Sequence, residues 1–159
     1  MSSNAHGRTS EETPLTIGEP KAPTHGERAR TLVGAETTGT LATLNNDGFP
    51  HGSYVTFALD GSDPVFLVSK LAAHTQNLEN DARASLLVHE VGATDPLSNG
   101  RVTLLGKCER LTDDASAREA FLAVHKQAEY YVDFSDFSFW RLAVQSVRYI
   151  GGYGRMSWV

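Results

Sequence analysis

The stretch Ser69-Lys70-Leu71-Ala72-Ala73-His74-Thr75-Gln76-Asn77-Leu78 concentrates the residue types that hold an anion. Two hydroxyls, Ser69 and Thr75, and two bases, Lys70 and His74, fall where a buried strand hands over to a helix. The start of a helix leaves backbone N–H groups without intrahelical partners, and hydroxyls and cations beside them complete a pocket for a phosphate dianion. The same spacing fits a purely structural role, in which Ser69 and Thr75 satisfy the backbone while Lys70 and His74 point into water. Spacing alone leaves both open.

Other chemistries lack a signature. His6, His25, His51, His74, His89 and His125 are scattered, with no H-x-x-x-H pair and no cysteine cluster, so no metal site is expected. No G-x-S-x-G elbow marks a serine hydrolase, and neither G-x-G-x-x-G after a strand nor a Walker A motif marks a nucleotide fold. Cys108, alone in an alternating run, reads as a buried, inert thiol. Asp133-Phe134-Ser135-Asp136-Phe137-Ser138-Phe139-Trp140, preceded by Tyr130 and Tyr131, crowds aromatics as core or dimer-interface filling, or as the wall for a flat ring. No catalytic residue stands out.

The elements that position these residues follow from pattern. The 159 residues carry a net charge of −5 and are 40% hydrophobic, enough for one domain with a real core. The mildly acidic balance gives no reason to expect nucleic acid or an anionic membrane as partner. Apolar runs fall far short of the ~20 residues of a membrane span, and no secretory signal opens the chain. A cytoplasmic setting is expected. Polar residues 1–23, with Leu15 and Ile17 their larger apolar members, read as a flexible tail before a domain over 24–159.

Thr24-His25-Gly26-Glu27 has capping-box form and predicts a helix to about Ala35. Strands are expected at 40–44 and 53–58, joined by Asn45-Asn46-Asp47-Gly48. The continuous apolar run Pro64 to Ser69 reads as the middle of the sheet. A short helix at 73–80, a strand at 84–90, a turn at 95–100 and a strand at 101–111 follow. A helix opened by Thr112-Asp113-Asp114 presents Ala117, Ala120, Phe121, Val124 and Ala128 on one face. In the last strand, apolar parity shifts between Val144 and Val147, predicting a bulge near Gln145-Ser146 before an end at Gly151-Gly152. The order describes an α+β fold with a six-stranded, mostly antiparallel barrel and short flanking helices.

These residues carry a resemblance. Gly39-Thr40-Leu41-Ala42-Thr43, Gly48-Phe49-Pro50, the stretch from Ser69 to Leu78, Asp81-Ala82-Arg83-Ala84-Ser85-Leu86, Asp95-Pro96-Leu97, Arg101 to Gly106 and Gly151-Gly152-Tyr153-Gly154 stand in a specific order. In that order the chain resembles the FMN-binding split-barrel superfamily of pyridoxamine 5′-phosphate oxidase, and within it the HugZ-type and CREG-like branch.

The resemblance implies a split barrel, a homodimer, and FMN in two clefts between subunits. It implies cofactor contacts from Ser53, Ser69, Lys70, His74, Thr75, Asn77 and Arg101, with Arg101 against the flavin ring. Departures from the oxidase pattern at Ser53 and Gly151-Gly152-Tyr153-Gly154 turn expectation away from pyridoxamine phosphate as substrate. Three functions follow: an FMN-dependent oxidoreductase acting on a small-molecule redox substrate, a haem-binding or haem-degrading protein with a histidine ligand, and a non-enzymatic dimeric interaction protein. The third requires Lys70 and Arg101 to be paired with acidic neighbours.

Overall fold

A computed structural model describes residues 21–159. The tail expected over 1–23 lies, but for its last three residues, outside that part. Helix α1 (His25–Ala35) starts at the expected capping box: the Thr24 side chain accepts from the Glu27 N–H at 3.2 Å, and the Glu27 carboxylate accepts from the Thr24 N–H at 2.7 Å. Ala29, Leu32 and Val33, at helical spacing, are its buried face.

Strands β1 (Thr38–Leu44) and β2 (Pro50–Thr56) pair antiparallel. The Asn45 Oδ1 holds their turn by accepting from the N–H groups of Asp47 and Phe49, and Gly48 takes φ +80°. The expected strand over 53–58 divides in two. Phe57 is wholly buried and its N–H donates to the Thr37 carbonyl at 2.9 Å, one more bond in the β1–β2 register, after which β3 (Ala58–Asp60) pairs with the next strand instead.

Strand β4 (Asp63–Ser69), helix α2 (Ala73–Asn80), strand β5 (Arg83–His89), a 3₁₀ turn (Pro96–Ser98) and strand β6 (Arg101–Arg110) follow. Helix α3 (Ala115–Val124), a 3₁₀ segment (Lys126–Tyr130), strand β7 (Phe137–Ile150) and strand β8 (Met156–Trp158) complete the chain. The sheet order is β2-β1-β5-β6-β7-β4-β3, with β8 added to β7 and every pairing antiparallel. The expected α+β split barrel is present, its six long strands supplemented by two of three residues.

Four expectations need correction. Strand β4 is next to an edge rather than central; it is buried on both faces because Phe66 and Val68 enter the barrel core while Val65 and Leu67 meet a second core with Ala117 and Phe121 of α3. Helix α3 stops at Val124, which is 47% exposed, because the buried His125 ring turns aside to bond the Phe57 carbonyl at 2.8 Å. Ala128 reaches the second core from the 3₁₀ segment. The chain also does not end its pairing at Gly151-Gly152: it turns there, with Gly152 at φ +96°, and returns as β8.

The bulge stands where parity placed it. Leu105 pairs with Ser146 and Gly106 with Val144, leaving Gln145 as the extra residue. A Cβ on Gly106 would lie 2.0 Å from the Ala143 carbonyl oxygen, so only glycine fits opposite the bulge. Among the described residues, no helix is long and apolar enough to cross a membrane.

Candidate functional site

Strand β4 delivers its last residue into a junction built around Asp136. The Ser69 hydroxyl donates to Asp136 Oδ2 at 2.9 Å and accepts from the Leu71 N–H at 3.2 Å, while the Lys70 N–H donates to the Asp136 carbonyl at 2.8 Å. Ser69 therefore plays the structural part its spacing allowed. The helix that follows is open. Ala72 occupies the N-cap of α2 and no side chain caps it, so the amides of its first turn face outward with their partial positive charge unmatched.

Lys70 is exposed and, among the described residues, forms no ion pair within 4.0 Å. Thr75, in the same first turn, is 1% exposed and its Oγ1 has no hydrogen-bond partner. Leaving a buried hydroxyl unpaired carries a real cost, which a ligand oxygen would remove. His74 is half-buried; burial, and secondarily the neighbouring His51, push its pKa below the ordinary imidazole value. At neutral pH it is an uncharged imidazole.

The junction opens onto the split of the barrel. A slot of about 290 Å³ between β2 and β4 is lined by Val55, Leu67, Val68, Ser69, His74 and Phe137 among others. Ser53 stands opposite Leu41, two residues from Val55 along the inward row of β2 that continues to His51. Of the expected contacts, Ser69 and His74 line this slot, while Lys70 and Thr75 adjoin them along the chain and Ser53 lies two residues from Val55 on β2.

Two expected contacts fall elsewhere. The Asn77 amide donates to Thr43 Oγ1 at 3.0 Å, so it stitches α2 to β1 instead of facing the split. Arg101 donates to the Leu97 and Asn99 carbonyls at 3.1 and 3.5 Å, in a groove of about 410 Å³ also lined by Leu87, His89, Val91 and Leu97. Arg101 pairs with Ile150 and Ser69 with Phe137, the two ends of β7, so roughly 40 Å of strand separates them at ~3.3 Å per residue. Neither Lys70 nor Arg101 is paired with a carboxylate among the described residues.

Sequence reasoning missed Asp136, hidden in a segment read for its rings. The rings themselves form a ladder: Tyr130 to Phe134 at 5.8 Å between centroids, Phe134 to Phe137 at 6.4 Å, with Tyr131 4.9 Å from Phe137. Phe137 lines the slot, so the segment fills core and walls the split at once. Cys108 is buried and its thiol is pushed up to about 12, first by desolvation, which leaves it inert.

Comparison with known proteins follows the fold. The family profile described as "CREG, beta-barrel" matches residues 20–159. The chain is 39% identical over 133 residues to "Non-canonical heme oxygenase HOZ, chloroplastic" of Arabidopsis thaliana, covering 79% of this chain and 40% of that protein. A solved heme binding protein from Mycobacterium smegmatis is 46% identical, with a TM-score of 0.84 over 87% of this chain and 59% of that one. Campylobacter jejuni ChuZ shares the fold at 17% identity and a TM-score of 0.75, over 87% of this chain and 61% of that one. The chain therefore spans less than two thirds of the length of each of these relatives, and 40% of the plant protein.

Proposed function

From a chain that belongs to the CREG β-barrel family, within the split-barrel superfamily, we propose a haem-binding protein of the haem oxygenase-like kind. One observation carries the reading: the uncapped start of α2 and the free Lys70 stand beside an apolar slot that holds a neutral imidazole, His74. Haem needs these three things, since its propionates are anions, its ring is flat and apolar, and its iron takes a neutral imidazole nitrogen. When bound, haem supplies the redox chemistry, and the protein supplies placement and polarity. Two relatives whose names refer to haem, at 39% and 46% identity, support the reading.

The site calls for a second copy. About 290 Å³ is at the low end for a ligand of drug size, and Arg101 is remote from the slot in its own chain. The homodimer would bring a second wall. Its support is the outer face of the sheet, where Tyr54, Thr40, Leu87, Thr103, Arg148 and Trp158 stand in one cross-strand row. Tyr54 is 79% and Trp158 64% exposed, large apolar groups that association would cover.

The second reading, an FMN-dependent oxidoreductase of a small-molecule substrate, rests on the same open helix start. A phosphate monoester suits it as well as a carboxylate does, and Thr75 Oγ1 offers a buried donor. The non-enzymatic reading requires acidic partners for Lys70 and Arg101, and the described residues supply none within 4.0 Å.

Titration with haemin and, separately, with FMN decides between them. We expect a saturable Soret shift that His74→Ala abolishes and Lys70→Glu weakens about tenfold, the scale of a charge-assisted contact. Quenching of FMN fluorescence without any Soret change would establish the second reading, and silence with both would sink the two together.

A further inference from the structure

We propose that the end of the barrel beneath α1 is a separate binding site for a medium-length aliphatic carboxylate. A cavity of about 520 Å³ lies there, within the ordinary size of small-molecule sites. Its wall is aliphatic: Val33 from α1, Leu59 from β3, Val102 and Leu104 from β6, and Val144 and Val147 from β7. These same side chains belong to, or pack against, the main core, so the cavity is a half-open cleft whose floor is that core. Such a space forfeits van der Waals contacts that an apolar ligand would restore.

Charge selects the head group. Asp63 borders the cavity but is already satisfied, since its Oδ1 accepts from the Val144 N–H at 3.1 Å and its Oδ2 faces Arg141 at 3.8 Å. Arg30, one residue beyond Ala29 on α1, also borders it and forms no ion pair within 4.0 Å among the described residues. Glu27, the acid on the preceding turn, is held by the Thr24 cap and feels Arg30 only at a distance, beyond ion-pair range. An aliphatic chain ending in a carboxylate fits a bore of this kind with one free guanidinium at its rim, whereas an alcohol or amine leaves Arg30 unpaired.

Residue 159 narrows the mouth. The Val159 N–H donates to the Val147 carbonyl at 2.9 Å, and a Cβ on Gly26 would come within 2.9 Å of Val159 Cγ1. Glycine at 26 lets α1 and Val159 share that rim. The cavity has no lining residue in common with the slot at the split, so the inference stands apart from the cofactor reading.

A dansyl-labelled undecanoic acid, titrated into the full chain and displaced with decanoate or decanol, tests it. Saturable fluorescence, displacement by decanoate at about one tenth the concentration needed for decanol, and about tenfold weaker binding in Arg30→Glu are expected. Val147→Trp should fill the bore and abolish the signal; if circular dichroism shows it misfolded, Val144→Phe takes its place. His74→Ala should leave the probe bound. No saturable signal, equal displacement by decanol, or an unaffected Arg30→Glu each overturns the proposal.

Discussion

The Ser69 hydroxyl donates a 2.9 Å hydrogen bond to Asp136 Oδ2 and the Lys70 N–H donates to the Asp136 carbonyl, so a carboxylate is fixed at the junction that carries Lys70. That carboxylate holds the strand-to-helix junction in place and opposes any anion that arrives there. Asp136→Asn keeps an acceptor for Ser69 and removes the charge. It should tighten haemin, or FMN, about threefold at low salt, with the gain fading as salt rises. A salt-independent loss of affinity in the titration would contradict this.

Thr75 carries the one buried side-chain polar atom without a partner among the described residues. Thr75→Val keeps the shape and deletes the hydroxyl. Urea unfolding should show the variant about 1 kcal/mol more stable without ligand, because an unpaired buried oxygen is gone. If the hydroxyl serves the anionic cofactor, the same variant binds it more weakly. Stability and affinity moving in opposite directions is the signature to look for.

His74 links the site to pH. Its pKa is lowered in the folded protein, so as pH falls below the ordinary value of 6.5 the unfolded chain takes up the proton first. The stability associated with neutral His74 is complete above that value and drains away as pH drops toward the lower, folded pKa. Melting temperature should therefore decline from pH 7 to about pH 5.5 more steeply in the wild type than in His74→Gln. Parallel curves would mean that His74 is as solvated as in the unfolded chain.

Gly106 faces the bulge at Gln145, where a Cβ would sit 2.0 Å from a carbonyl oxygen. Gly106→Ala should cost about 2 kcal/mol by denaturant unfolding, the scale of overpacking, since backbone rather than a flexible side chain must move. Deleting Gln145 in the same variant should recover part of the loss by restoring regular pairing.

Cys108 should resist a thiol reagent in the native protein and react at once in denaturant, because burial holds its thiol pKa up at about 12. Rapid native labelling would show that β6 opens readily.

Much of the path from residues to fold was legible. The Thr24–Glu27 capping box starts α1, Asn45 and Gly48 make the first turn, and the parity slip between Val144 and Val147 marks the bulge. Each is local, set by groups within a few residues. The errors were long-range. The apolar run of β4 looks the same whether a strand is central or, as here, near an edge with cores on both sides. The strand over 53–58 divides because its end trades β1 for β4 as pairing partner, and α3 stops where His125 reaches for Phe57, contacts no window of sequence contains.

The candidate site divides the same way. The sequence by itself determined that hydroxyls and bases meet at a strand-to-helix handover, because that junction is local and its free amides follow from helix geometry. Only the tertiary structure decided which of them remain available: Ser69 is engaged by Asp136 and Asn77 by Thr43, while among the described residues the Lys70 ammonium has no ion-pair partner and Thr75 Oγ1 no hydrogen-bond partner. It alone also decided that Arg101 lies at the far end of β7 from the split, since the direction and register of pairing, not spacing along the chain, place a side chain.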